Sequence, residues 1–539
     1  MHKFKTRKQR KNKFKYASKI CNEDMSFSEC ELAILRNAID ESEELKGRKI
    51  TNDEEVQRML GIVEQFIIEK KLLLYGGTAI NNILPKFAQF YNRDIEVPDY
   101  DFYSPDALND AKELADIFYK EGYLEVEAKA GMHMGTFKVY VNFISIADIT
   151  QMHQQLYKTL LKDSIVIAEI HYTPPNYLRM SMYLELSRPS GDISRWEKIF
   201  KRLALLNKYY PFKTGDECQT IDFHKERGAY GDKNEELYVE TRECFINQGV
   251  VFFGGYASSL YSRYMPKEKK LLLRKYPDFD VLSDEPDKCA LILKEHLHRL
   301  KFKKIAIIKH DSIGEIIPYH IEIKVENKTI AFIYKPIACH SYNKIIIKDK
   351  EINIATIDTI LAFYLSFWYS DLDYYDKNRL LCLANFLFEI EQHNRLEHRG
   401  ILKRFSINCY GKQMTLEDIR SEKAQKYREL VRNRKGKEYE MWFLKYSPHS
   451  KGNKEGKGIT DTEIEKSIQI LEENKKKEEE NVENPVKREK KFIERFIGSI
   501  RRQKHSKRSS SSNSSSNKIL RMFQMNSKTR KNRSSEFLF

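Results

Sequence analysis

No apolar run in this chain reaches the ~18 residues that a membrane-spanning helix needs. The longest, such as Thr359–Tyr369, stop well short. With a mean hydropathy of −0.62, this excludes an ordinary integral membrane protein. The basic N-terminus has no apolar stretch behind it, so no secretory signal is expected. Cysteine is sparse: eight residues, at 21, 30, 218, 244, 289, 339, 382 and 409, with no CxxC pair and no Cys/His block at zinc-finger spacing. Reduced thiols in a cytosol-like compartment are the expectation. Apolar material is not lacking. Hydrophobic residues make up 41% and aromatics 12% of 539 residues, which excludes a wholly disordered chain and suggests two to four domains.

Charge is distributed unevenly. Residues 1–20 hold nine Lys/Arg and no acid; residues 487–539 hold sixteen Lys/Arg and three Glu. The ends therefore carry +9 and +13, which leaves −6 for residues 21–486 out of a total of +16. Basic arms on a mildly acidic body point to a polyanion such as nucleic acid. The plainer alternative is arms that only confer solubility.

Helical spacing of Leu32, Leu35 and Ile39, and of Val56, Leu60, Val63, Phe66 and Ile67, predicts helices between 26 and 70. Leu72–Tyr75 reads as a strand entering a turn at Gly76-Gly77. Tyr100–Tyr103 and Thr136–Ile149 read as strands around a helix at Ala107–Tyr119. Residues 176–210 read as helical, 250–350 as strand-like and 351–445 as helical again. From about 450 the composition turns to Lys, Glu, Asn and Ser, and disorder is expected. Two short apolar stretches inside it, Phe492–Ile500 and Ile519–Met525, read as weakly structured or as docking segments.

The chemistry-bearing residues lie in three places: Tyr75-Gly76-Gly77-Thr78, then Pro98-Asp99-Tyr100-Asp101-Phe102, then Ile146-Ala147-Asp148-Ile149. Residues two apart on a strand share a face, so Asp99 and Asp101 should point together while Tyr100 and Phe102 face the core. Neighbouring carboxylates repel unless a cation lies between them. Three aspartates on adjacent strands suit two hard divalent ions, the arrangement used for in-line phosphoryl transfer. The glycine pair lets backbone N–H groups approach phosphate oxygens, and a helix opening at Thr78 would favour an anion at its N-terminus. A lone GGT or DxD is weak; the ordered combination is much stronger.

That combination resembles the DNA polymerase β-like nucleotidyltransferase superfamily. Tyr183-Leu184-Glu185-Leu186-Ser187-Arg188-Pro189, Arg195-Trp196 and Lys201-Arg202-Leu203 narrow the likeness to the poly(A) polymerase catalytic subunits of large cytoplasmic DNA viruses, of the giant-virus (mimivirus) type. The poxvirus enzyme is more distant. The resemblance covers about residues 60–440. It implies template-independent addition of AMP from ATP to an RNA 3′ end, with Gly76, Gly77 and Thr78 as the triphosphate loop. It further implies that Asp99 and Asp101 are ligands of two Mg²⁺ or Mn²⁺ ions and that Asp148 helps activate the primer 3′-OH. A homodimer, with a location in the virion and the host cytoplasm, is also implied. The rivals are another nucleotidyltransferase (CCA-adding, uridine-adding or protein-modifying) and a non-catalytic RNA-binding processivity subunit.

The chain then repeats itself. Phe253-Gly254-Gly255-Tyr256, Pro277-Asp278-Phe279-Asp280 and Ile330-Ala331-Phe332-Ile333 parallel the three segments at offsets of 178, 179 and 184 residues. Phe332 replaces the third carboxylate, and Tyr256 replaces Thr78 with a bulky ring where a phosphate should sit. The expected fold class is therefore α+β, with two tandem nucleotidyltransferase folds, the second degenerate, each followed by helices, plus disordered basic tails. The divisions read as 1–25 basic arm, 26–175 active domain, 176–235 helical segment, 236–350 degenerate repeat, 351–449 helical segment and 450–539 tail. On Arg195–Tyr210, Trp196, Ile199, Phe200, Leu203 and Leu206 form a core stripe. Lys198, Lys201, Arg202 and Lys208 are either a track for RNA phosphates or a solvated face.

Overall fold

The computed structural model describes residues 20–451 apart from 22–23, 93, 95, 216–217, 219–232, 266–278 and 315. Most of the basic arm, Asp278, and nearly all of the tail with Phe492–Ile500 and Ile519–Met525 lie outside the described residues.

Short alternating or fully apolar segments form two mixed sheets. The first contains β1 (Leu73–Leu74), β2 (Tyr100–Ser104), β3 (Val126–Ala130), β4 (Thr136–Val141), β5 (Ile144–Gln151), β6 (Ile165–Ile167) and β7 (Ile170–Tyr172). Their spatial order is β3-β4-β5-β2-β1-β7-β6. The second contains β8 (Val251–Phe253), β9 (Phe279–Leu282), β10 (Ile305–His310), β11 (His320–Val325), β12 (Lys328–Tyr334), β13 (His340–Ile347) and β14 (Lys350–Ala355). Its order, β10-β11-β12-β9-β8-β14-β13, is the first order with each strand moved up by seven. β2 pairs parallel to β5 and β1 to β7; β9 pairs parallel to β12 and β8 to β14. The duplication suggested by three short motifs thus extends to every strand. Two late strands differ: β15 (Cys409–Tyr410) adds to β13, and β16 (Lys445–Tyr446) returns to the first sheet beside β3.

Each sheet is followed by helices, Pro175–Leu186 and Trp196–Tyr209 in the first copy, Ile357–Tyr369 and Lys377–His393 in the second. The equivalent helices Pro175–Leu186 and Ile357–Tyr369 pack on each other, with Tyr177 and Tyr369 edge to face at 5.4 Å. That contact joins the two copies, which explains why Ile357–Tyr369 is apolar almost all round: nearly every residue of it is buried.

Several local readings change. Thr136–Ile149 is a hairpin rather than one strand, turning at Asn142 and Phe143, both at positive φ. Residues 250–350 also contain helices, Gly254–Tyr261 and Pro286–Arg299. In the helix Phe27–Thr51, Leu32, Leu35 and Ile39 are exposed, so their spacing signals helix but not core. Six cysteines are paired, Cys21–Cys30, Cys218–Cys382 and Cys339–Cys409, against the expectation of reduced thiols; Cys244 and Cys289 are buried and unpaired. Two of the pairs join residues 164 and 70 positions apart, which spacing in a sequence cannot reveal.

Candidate active site

The strand β1 ends at Leu74, and after Tyr75 the helix starts at Gly76, two residues earlier than the sequence suggested. Gly76 takes φ +75°, and a Cβ there would lie 2.7 Å from Asp101 Oδ2. Glycine is required at this position both by the left-handed backbone and by the close approach to a carboxylate. Tyr75 N donates to Asp101 O at 2.9 Å, tying the turn to β2. Tyr100 and Phe102 are buried beneath, which aims Asp101 at the opposite face. Asp99 lies just before β2, not within it, and is exposed. Asp148 stands on β5 directly beside Asp101, since the parallel register pairs these two residues.

The sequence-predicted residues meet in one cleft of about 550 Å³, lined by Gly76, Gly77, Thr78, Asp99, Asp101 and Asp148. The helices behind the sheet close it with Glu185, Arg195, Lys198 and Arg202. The expected basic stripe therefore divides. Lys198 and Arg202 face the cleft, whereas Lys201 pairs with Glu197 at 2.6 Å on an exposed face and Lys208 lies over the Tyr209 ring. Ile199, Leu203 and Leu206 are buried, as a core stripe requires, while Phe200 is 41% exposed and sits edge-on to Phe405.

Burial, with Asp148 and Asp99 alongside, pushes the Asp101 carboxyl up to about 7; Lys138 and Arg195 offset this in part. Burial likewise raises Glu185, against the pull of Arg195, which bonds it at 2.9 Å. Lys138, opposite Asp148 on β4, donates to the Asp148 carboxylate. Burial acts to lower the Lys138 ammonium, but the bond to Asp148 and the charges of Asp148, Tyr140 and Asp101 together outweigh it and hold the pKa above the usual lysine value. Thr78 is buried, and its Oγ1 has no hydrogen-bond partner among the described residues. Arg202 donates to Tyr91 Oη at 2.7 Å, and its guanidinium lies over the Phe90 and Tyr91 rings.

The donor set is all oxygen and short of positive charge, which suits hard cations. The glycine cradle and the unsatisfied Thr78 hydroxyl suit a polar ligand beside them. In this arrangement Lys138 supplies the charge at Asp148. Among the described residues no group of three or more His, Cys, Asp or Glu is drawn close enough to share a metal ion.

Lys138, Tyr91 and Glu185 escaped the sequence reading as cleft or cleft-supporting residues. Counting back from a two-residue turn at Asn142–Phe143 sets Lys138 opposite Ala147; a register shift at Val139/Tyr140, which the sequence does not signal, brings it opposite Asp148. Glu185 lay inside the motif that carried the family resemblance. Tyr91 sits in a loop with no periodic pattern. It is placed by Asn81 Oδ1, which accepts from the Phe90 and Tyr91 N–H groups at 2.8 and 2.9 Å.

In the second copy the expected Tyr256 obstruction is not present. Its ring packs against Phe252 and Phe279, with centroids at 4.9 and 5.6 Å. Gly255 lines the second cleft and Tyr256 does not. The third position is as expected: Phe332 pairs with Asp280 in the register that pairs Asp148 with Asp101.

A Gly-Gly turn heading a helix, an Asp-x-Asp entering the adjacent strand and an Asp beside it on a parallel strand form one cleft. The comparisons bear on its class. Residues 61–192 match the family model described as poly(A) polymerase catalytic subunit. A protein of African swine fever virus (isolate Tick/Malawi), named as a candidate poly(A) polymerase catalytic subunit, is 33% identical over 185 residues, 32% of this chain and 38% of that protein. A protein of the same name from Acanthamoeba polyphaga mimivirus is 28% identical over 221 residues, 40% of this chain and 37% of that protein. The matched stretch thus spans less than two fifths of these relatives. The crystal structure of the Megavirus polyadenylate synthase aligns with a TM-score of 0.67 at 20% identity, covering 85% of this chain and 92% of that one. The family resemblance is borne out over residues 61–192, and the α+β fold class over most of the chain.

Proposed function

We propose that this chain is a template-independent RNA polymerase that transfers AMP from ATP to an RNA 3′ end and releases pyrophosphate. The observation that carries it is the convergence of the Gly76–Thr78 turn, Asp99, Asp101 and Asp148 in one cleft faced by cationic helices. Asp99, Asp101 and Asp148 would hold two Mg²⁺ or Mn²⁺ ions, which supply charge neutralisation and a polarised 3′-OH. The triphosphate lies against Gly76 and Gly77, with the Thr78 hydroxyl within the same pocket. Lys198 and Arg202 neutralise the phosphates from the helix side; the Arg202 guanidinium stands against Gly77, 2.9 Å from where a Cβ there would lie, and its bond to Tyr91 holds it beside the turn. Arg195 is held by Glu185 at the mouth. The Asp148 carboxylate, kept in place by Lys138, is where the primer hydroxyl gives up its proton. Transfer of this kind rests on positioning and on neutralising charge rather than on covalent chemistry by the protein.

The same reading carries the domain divisions stated above, with 26–175 active and 236–350 degenerate. It includes a homodimer, located in the virion and host cytoplasm. Among the described residues no helix is long and apolar enough to cross a membrane. The test is to give full-length chain a labelled oligo(A) primer and a divalent cation, with each of the four NTPs singly. Extension with ATP alone is the expected result; comparable extension with UTP or CTP, or none with any, overturns the reading. Light scattering should give twice 63.9 kDa for the dimer.

A further inference from the structure

After the second copy the chain crosses back to the first and settles on one edge of its sheet, outside the seven repeated strands. The helix Leu416–Leu430 leads through the 3-10 turn Val431–Asn433 to the helix Lys437–Phe443, and β16 follows. Leu444 O accepts from Ala130 N at 2.9 Å, and Lys445 and Tyr446 pair with Lys129 and Ala128. Lys423 Nζ donates to Gly131 O at 2.6 Å, and Lys112 holds Glu440 at 2.8 Å. β3 runs toward the turn at residues 131–135, and β16 runs antiparallel, away from it. The two helices therefore stand at the turn's end of the sheet. That is the end at which the active cleft opens, since His133 of the turn lines it beside Thr136 and Thr150.

The sheet order separates the two sides of this cleft. β5, which carries Asp148, has β4, β3 and β16 on one side and β2 and β1 on the other, and the Gly76–Thr78 turn follows β1. With the triphosphate at that turn and the primer 3′-OH at Asp148, the rest of the primer leaves on the side away from the triphosphate. It passes His133 and meets the two added helices. Beside His133 the turn exposes Met132 and Met134, 43% and 51%, an adaptable apolar surface for a base.

The surface beyond the turn is cationic. Residues 428–437 hold Arg428, Arg432, Arg434, Lys435 and Lys437 against one acid, Glu429. Lys426 engages Glu429 at 3.0 Å, with the Arg428 charge a lesser influence on it, and Lys426 also reaches the next acid, Glu438, at 3.9 Å. Arg434 donates to Tyr427 Oη at 3.2 Å. Arg428, Arg432, Lys435 and Lys437 are exposed, and their side chains have no ion pair or hydrogen bond among the described residues. Lys437 lies one helical turn, about 6 Å of rise, before Met441. Met441 Cε in turn is 3.8 Å from where a Cβ on Gly135 would be, so the cations begin close to the turn that lines the cleft.

We propose that residues 428–437 form the binding surface for the single-stranded RNA upstream of the primer 3′ end. Its phosphates are held by Arg428, Arg432, Lys435 and Lys437, and the strand is passed to Asp148 along the turn at residues 131–135. The inference rests on the proposed function for the place of the 3′ end.

The test uses full-length chain carrying Arg428→Glu, Arg432→Glu and Lys435→Glu, beside the charge-keeping triple Arg428→Lys, Arg432→Lys and Lys435→Arg. All three side chains are exposed, so both triples should melt as the parent does. Arg432→Glu alone, with a third of the effect on the salt slope, carries the same test if the Glu triple does not fold. Anisotropy of a labelled oligo(A) of about 20 residues, at several salt concentrations and without ATP, reads the surface. Three lost phosphate contacts should make the slope of log K against log salt shallower by about 2 and weaken binding about tenfold or more. In primer extension the KM for this oligo(A) should rise likewise in the Glu triple, with the KM for ATP and for a trinucleotide primer unchanged. The charge-keeping triple should behave as the parent. Affinity and slope in the Glu triple equal to those of the parent overturn the proposal, as does an equal loss for the trinucleotide and the longer primer. Failure of the proposed tailing reaction would appear separately, as no extension of any primer by the unmodified chain, and the anisotropy would still read the surface.

Discussion

Two halves of one molecule carry the same seven strands in the same order and place different groups beside the strand aspartate. In the first, a parallel register sets Asp148 beside Asp101, and burial leaves negative charge in want of a cation. In the second, the same register sets Phe332 beside Asp280, and the space is filled by rings. Both keep a positive-φ glycine, Gly76 or Gly254, pressed against the strand aspartate, so the turn belongs to the scaffold as much as to any chemistry. The difference between the copies therefore lies not in backbone geometry but in a few side chains on one hairpin and one helix. A fold does not fix a function; side chains placed on it do.

The most direct way to break this comparison is to remove the aspartates of each copy in turn. Asp101→Ala or Asp148→Ala should lower AMP incorporation into an oligo(A) primer by about a thousandfold or more. Asp280→Ala should leave the chemical step near that of the parent. A folded Asp280→Ala chain that no longer incorporates AMP would show that the second copy takes part in the chemistry.

Glycine replacement sharpens the same contrast. Gly76→Ala adds a Cβ beside Asp101 Oδ2, and a displacement of the order of 1 Å at a reacting group costs about a hundredfold in rate. Gly254→Ala meets Asp280 at an equally left-handed backbone, φ +64°. It should appear instead as a stability loss larger than the ~1–2 kcal/mol cost of a side chain in that conformation, because the added Cβ would also lie 2.6 Å from Asp280 Cβ. Urea melts of both variants beside single-turnover rates separate the two outcomes.

Acid should distinguish the halves as well. His320 and His340 both belong to the second sheet, and burial lowers them to about 4 and about 3. For His320 the Pro318 carbonyl can only accept, so Nδ1 carries the proton and Nε2 accepts from Tyr374. Both rings are neutral in the fold but gain protons near pH 6.5 once unfolded. The stability they permit is full above pH 6.5 and is lost as pH falls toward 4. By pH 4.5 the loss is about 3 kcal/mol for each. Hydrogen exchange at pH 5 against pH 7, corrected for intrinsic rates, should show β11–β14 losing more protection than β2–β5. Equal losses in the two sheets would contradict this.

Much of the architecture was legible in the sequence because it rests on local signals: a glycine pair after an apolar run, carboxylates two apart, and the same text returning about 180 residues later. The illegible parts are those set by three-dimensional closure. Lys138 reaches Asp148 because a two-residue turn folds Thr136–Ile149 back on itself and a register shift at Val139/Tyr140 moves the pairing on by one residue. Tyr256 was read as an obstruction from its place in a motif, yet the helix rotates its ring into the core. Two of the cysteine pairs and β16 depend on segments that meet from tens to hundreds of residues apart. Asp99 falls outside the strand because pairing begins at Tyr100, one residue later than alternation alone suggests.

The smallest expected effect concerns the basic ends, where neither copy contributes and charge alone carries the argument. Residues 487–539 bear +13 against −6 for residues 21–486. Each phosphate met by a Lys or Arg releases counterions, with a slope of log K against log salt of about −0.7 per contact on single strands. Three such contacts from this segment would make the slope shallower by about 2 when it is removed, and primer extension at low salt would continue. Titrating labelled oligo(A) against full-length and truncated chain at several salt concentrations measures it. Superimposable slopes would assign the RNA contacts to residues 1–486, the +9 arm of residues 1–20 included. The charge of the segment 487–539 would then serve some other acidic partner.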